Sequence, residues 1–212
     1  MKSKKLRNKV IPTIIANNQL ELNSIIKAYK KHFKHFQIDV MDGNFVYNKS
    51  NWFNFKLPKD NTYEAHLMVY EPENWISKNY KKFDILIPNF ERVKNPKKLI
   101  KFVKSKGKKI GFALNPETSI MYIEPYLKDL YCVLILTVKP GKYGANFLPD
   151  TLEKINMLRM DYSGNIEVDG HQDKETIKLC KKAGANIFAV GSFLKNSKDL
   201  DKDVATLKKI VK

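Results

Sequence analysis

At 212 residues with 43% hydrophobic side chains, the chain can bury one full core and is too apolar to be a disordered polymer. No run approaches the ~20 consecutive apolar residues of a membrane span, so no membrane partner is expected. A formal charge of +17 invites nucleic acid, yet of 39 basic residues only Arg7, Arg92 and Arg159 are arginine, the side chain that forks onto guanine and phosphate.

The lysines are spread through every helical segment, so the charge reads as solvated surface and no nucleic-acid partner is expected. A positive field of this kind still concentrates an anionic substrate. Cys132 and Cys180 lie on apolar segments without metal or redox spacing and read as buried thiols of a reducing, cytoplasmic protein.

Residues 1–9 read as a basic N-terminal tail with no secretory segment behind it. From there, short apolar runs alternate with helical patterns. Strands are predicted at Val10–Ile15, Phe36–Val40, Tyr63–Val69, Phe83–Ile87, Lys109–Leu114, Val133–Val138, Asn165–Val168 and Ile187–Val190. Their apolar stretches are mostly continuous, as parallel strands buried on both faces require. Helices are predicted at Leu20–Lys31, Pro96–Lys106, Asp150–Met160, Lys174–Ala183 and Leu200–Ile210, with start signals at Asn95-Pro96 and Asp173. Asn51–Asn61 shows no clear long helix. No linker divides the chain, so 1–212 reads as one (β/α)₈ TIM barrel domain. The alternative, an open doubly wound sheet, lacks a G-x-G-x-x-G after the first strand.

In a barrel the chemistry lies where strands end, and charged residues on buried strands are the anomaly there. The period of two puts Gln37, Asp39 and Met41 on one face of the second strand, His66 and Met68 on one face of the third, and Glu167 and Asp169 on one face of the seventh. Faces turned into the barrel mouth would bring Asp39, His66 and Asp169 together.

Ordered tetrapeptides then become specific. Asp39-Val40-Met41-Asp42-Gly43, His66-Leu67-Met68-Val69, Leu114-Asn115-Pro116-Glu117-Thr118, Val138-Lys139-Pro140-Gly141, Glu167-Val168-Asp169-Gly170 and Gly191-Ser192 resemble, in order and spacing, the signatures of the ribulose-phosphate 3-epimerase family. The resemblance implies interconversion of D-ribulose 5-phosphate and D-xylulose 5-phosphate at C3, with Asp39 and Asp169 as the acid–base pair. It implies a divalent metal (Zn, Fe(II), Mn or Co) on Asp39, His66 and Asp169, and a phosphorylated ketose held by Thr13, Met41, Met68, Gly141, Gly144, His171, Gly191 and Ser192. Homo-oligomerisation is left open.

Departures from the pattern leave alternatives. Gln37 stands where the family has its first metal histidine and is carried as a weaker fourth ligand. His35 lies one layer deeper and is not expected to substitute. Tyr143 and Ala145 break the glycine-rich loop, and His171 replaces a glycine. An epimerase of a related sugar phosphate, or a degenerate barrel that binds without turnover, remains open on these residues.

Overall fold

The computed structural model describes residues 6–141 and 144–212; the first five residues of the expected tail, with Lys142 and Tyr143, lie outside them. Eight parallel strands close into a barrel. They are β1 (Lys9–Ile14), β2 (His35–Asp42), β4 (Thr62–Met68), β5 (Ile85–Pro88), β6 (Lys109–Leu114), β7 (Cys132–Leu136), β8 (Asn165–Asp169) and β9 (Ile187–Val190). Closure comes from β1 pairing with both β9 and β2, with Thr13 opposite Gln37 at the seam. A two-residue strand, β3 (Lys49–Ser50), adds antiparallel to the end of β2.

Why the apolar runs are continuous is now visible. On β7, Val133 and Ile135 join the large core between barrel and helices, whereas Cys132, Leu134 and Leu136 point inward. Both faces are dry, so neither alternates with polar residues. Three strands, β2, β4 and β8, break this rule on their inner faces only. Gln37, Glu64, His66 and Glu167 have no exposed surface at all, and Asp39 is 5% exposed.

Helices α1 (Gln19–Tyr29), α3 (Pro96–Ser105), α4 (Thr151–Asp161), α5 (Lys174–Ala183) and α7 (Leu200–Val211) fall within a few residues of expectation. Asn95 caps α3 through the Lys98 amide, and Asp173 forms a reciprocal capping box with Thr176 at α5. Two short helices, α2 (Pro72–Asn79) and α6 (Ser192–Lys195), were not expected. The connection after β6 is made of 3₁₀ turns, Ile120–Tyr122 and Glu124–Asp129. The segment after β2 has no helix. Phe55 seals that face instead, edge-on to Phe83.

Lys9 corrects the tail assignment. It is the first residue of β1, and its Nζ sits 2.7 Å from His35 Nδ1. The side chain before it, Asn8, donates to the Val211 carbonyl at 2.8 Å. No helix among the described residues is long and apolar enough to cross a membrane.

Candidate active site

The C-terminal ends of the strands surround a cavity of about 360 Å³, within the range of small-molecule sites. Asp39, His66 and Asp169 converge at its floor, as their strand parity implied. One ligand-capable atom from each lies within 4.8 Å of the others. Asp39 and His66 are register partners on β2 and β4, and Asp169 arrives from β8, three strands around the ring. The second aspartate of the β2 motif has a different task. Asp42 accepts from the backbone amides of Asn44, Phe45 and Tyr70, which fixes the turn after the strand and holds its carboxyl below the usual range despite burial.

His66 Nδ1 sits almost equidistant from the two carboxylates, 3.4 Å from Asp39 Oδ1 and 3.3 Å from Asp169 Oδ2. Burial alone would lower the imidazole pKa; contacts with Asp169 and Asp39 outweigh it and raise the value to about 10. Asp39 is pushed upward, first by burial and then by the charge of Asp169, against relief from His66 and Gln37. Two carboxylates and an imidazole nitrogen at this spacing fit a divalent first-row cation. Neighbouring ligand atoms around a tetrahedral ion with bonds of about 2.0–2.1 Å lie roughly 3.3 Å apart, the spacing His66 shows. The residues present therefore fit a metal.

Gln37 reaches this group but does not present an acceptor. Its Nε2 donates to Asp39 Oδ1 at 2.8 Å and to Asp169 Oδ2 at 2.6 Å, and its Oε1 is buried without a partner. As it stands, Gln37 bridges the aspartates as a donor, whereas the sequence reading carried it as a ligand.

The expected substrate contacts line the same cavity. Thr13, Met41 and Met68 stand beside the acidic floor, the two methionines packed with Val46 into a small apolar wall. Gly141, Gly144, Gly191, Ser192 and His171 form the opposite end. Gly191 must stay small, because a Cβ there would lie 2.5 Å from Thr13 Oγ1. His171 keeps the left-handed backbone of a glycine, with φ +50°, a conformation uncommon for other residues. Its ring turns aside, Nδ1 lying 3.1 Å from the Ala145 carbonyl, and remains exposed.

Sequence reasoning missed Lys195, which lines the cavity with Lys139, and also Asn48, which donates to the Gly141 carbonyl at 2.5 Å. Lys195 could have been found from its place one turn after Gly191-Ser192. An open groove of about 590 Å³ adjoins the site and shares His171 and Ser192 with it.

A family model described as the ribulose-phosphate 3 epimerase family matches residues 9–194. The chain belongs to that family. It is therefore an epimerase-family enzyme, and similar proteins span most of its length. The ribulose-phosphate 3-epimerase of Bacillus subtilis is 34% identical, covering 94% of this chain and 98% of its own. That of Schizosaccharomyces pombe is 30% identical over 96% and 93%. Among solved structures, a mutant tryptophan synthase alpha-subunit from Pyrococcus furiosus superposes with a TM-score of 0.72. It is 15% identical, covering 96% of this chain and 99% of its own, so it speaks to the barrel fold alone.

Proposed function

We propose that this chain interconverts D-ribulose 5-phosphate and D-xylulose 5-phosphate in the cytoplasm, 1–212 acting as one catalytic unit. Asp39 and Asp169 serve as its acid–base pair. The observation that carries this reading is the pair itself: two carboxylates from separate strands, bridged by the Gln37 amide, flanked by His66 and opening into one cavity. Inversion at a carbon beside a ketone needs a proton removed from one face and returned to the other. One carboxylate per face meets that need, each positioned group contributing about 10²–10⁴-fold. Burial of Asp39 favours its protonated form, which suits a group that must both hold and release a proton.

Asp39, His66 and Asp169 would hold a divalent cation, Zn, Fe(II), Mn or Co, which supplies Lewis-acid polarisation of the ketone when bound. Met41 and Met68 give the reacting carbons a dry, polarisable wall. Thr13 offers a hydroxyl to the sugar. Gly141, Gly144, Gly191, Ser192 and His171 receive the phosphate, with Lys139 and Lys195 compensating its charge.

The test is conversion of D-ribulose 5-phosphate in D₂O by protein loaded with each of the four metals, with deuterium followed into C3. Conversion with wash-in is expected. No conversion and no exchange with any metal would overturn the reading in favour of a barrel that binds without turnover. His171 favours one further reading, a related ketose phosphate, because its imidazole lines the phosphate end of the cavity where a glycine was expected. Hexulose phosphates in the same assay decide between the two.

A further inference from the structure

Two nitrogens bridge the same two oxygens at the floor of the cavity. His66 Nδ1 stands 3.4 and 3.3 Å from Asp39 Oδ1 and Asp169 Oδ2, and Gln37 Nε2 stands 2.8 and 2.6 Å from the same atoms. The first pair of contacts matches the spacing of ligand atoms around a metal, whereas the second pair has hydrogen-bond length. An amide nitrogen carries two hydrogens, one for each carboxylate. The reverse orientation would set a carbonyl oxygen against two acceptors. Only a cation between them makes that orientation favourable.

The other end of the amide is equally informative. Gln37 Oε1 is fully buried with no hydrogen-bond partner, an anomaly in a native interior. Its register partner on β4 is Glu64, also without exposed surface, whose Oε1 has no donor. Turning the amide over would carry N–H toward a layer rich in acceptors and bring Oε1 to the cation.

We propose that Gln37 is a two-position amide that bridges Asp39 and Asp169 through Nε2 in the metal-free protein and turns over to offer Oε1 when a divalent cation enters. The turning rests on the metal reading of the site given above; the bridge does not. Gln37 is then a positioning residue without metal, keeping the carboxylate pair assembled through its two N–H groups. The cation must displace two hydrogen bonds to enter. Binding is therefore weaker than in Gln37→His, by roughly 10–100-fold, the range in which groups supporting a metal site act.

The experiment uses the full chain labelled with ¹⁵N and stripped by a chelator. The Gln37 side-chain NH₂ pair is identified by through-bond correlation and by its loss in Gln37→Glu. In the metal-free protein both protons should exchange slowly with solvent and lie downfield. Titration with Zn(II) should move the pair with one-to-one saturation, and calorimetry should show tighter Zn(II) binding to Gln37→His. Rapid solvent exchange of the pair without metal would overturn the bridge. A protected pair that stays unmoved at saturating Zn(II) would overturn the turning. Absence of any Zn(II) binding would sink the metal reading and the turning together, while the metal-free spectrum still decides the bridge. Should Gln37→Glu fail to fold, the wild-type spectra alone carry the test.

Discussion

The barrel holds two polar layers, one above the other, built from the same kinds of side chain and serving opposite ends. The lower layer joins Lys9, His35, Glu64 and Glu167. Burial, helped by the ammonium of Lys9, lowers His35 to about 3, so the ring is neutral and Nδ1 accepts from Lys9. Its Nε2 faces Glu64 Oε2 at 2.7 Å. Burial raises Glu64, and raises Glu167 well above its usual value with the charge of Glu64 adding to the effect. Two carboxyls in contact with no exposed surface therefore share a proton. One ammonium then answers one negative charge, and the layer is complete.

The upper layer sets two carboxyls against one imidazolium; burial favours a proton on Asp39, and once the acid–base role releases that proton the layer is one charge short of neutral. A divalent cation that displaces the His66 proton would close that gap. Inside this barrel a charge balance that closes makes structure, and one that stays open faces the cavity.

Breaking the upper layer should have the largest effect. Asp39→Asn and Asp169→Asn are each expected to lose at least two decades of epimerisation, about 2.7 kcal/mol of barrier, with metal content measured alongside. Near-wild-type turnover by either metal-loaded variant would remove that residue from the acid–base pair. The lower layer should respond in stability instead. Glu64→Ala removes the carboxyl that His35 Nε2 faces and leaves Glu167 alone to answer Lys9, and should cost about 3–5 kcal/mol in urea unfolding. Turnover of the folded variant should stay within an order of magnitude. If catalysis falls as far as in the aspartate variants, the separation of the layers fails.

Alkaline pH sharpens the contrast. With the folded pKa of His66 at about 10 against 6.5 unfolded, the metal-free native state binds the extra proton. Its contribution is complete below pH 6.5 and lost as pH rises through 10. The raised carboxyls of Asp39, Glu64 and Glu167 act in the same direction. The melting temperature of stripped protein should fall between pH 7 and pH 10, and fall less in His66→Asn; parallel curves would contradict the assignment. The smallest change is expected at the phosphate end. Lys195→Met should raise KM up to roughly tenfold with little change in kcat, since a cation held constant through the reaction contributes uniform binding. A drop in kcat alone would place Lys195 nearer the reacting carbon.

Most of the barrel was legible because parallel strands announce themselves as unbroken apolar runs, and all eight were found. The upper layer was legible too, since Asp39, His66 and Asp169 follow from strand parity and ordered motifs. The lower layer was harder to see. His35, Glu64 and Glu167 each sit two or four residues before a site residue, so the same parity points them inward. What parity cannot reveal is which strands neighbour one another across the barrel, and only that shows Lys9 meeting His35. Lys9 was assigned to the tail because a lysine beside a basic terminus looks solvated. Helix α2 escaped for lack of a side-chain cap, its start being marked by Pro72 alone. The direction of the Gln37 amide had no sequence signal, because it is set by the oxygens it meets.

The ladder that begins at Lys9 draws on β1, β2, β4 and β8, segments from both ends of the chain. A fragment ending after β5 would contain the ammonium, the imidazole and one glutamate, but not Glu167. The complementary piece would hold Glu167 with nothing to answer it. Neither half could seal its interior without stranding ionisable groups, so the halves have reason to find each other. Fragments of 1–94 and 95–212 mixed in solution should gain cooperative melting that each lacks alone. Calorimetry of the mixture against the separate pieces would show whether this charge ladder makes barrel closure all-or-none.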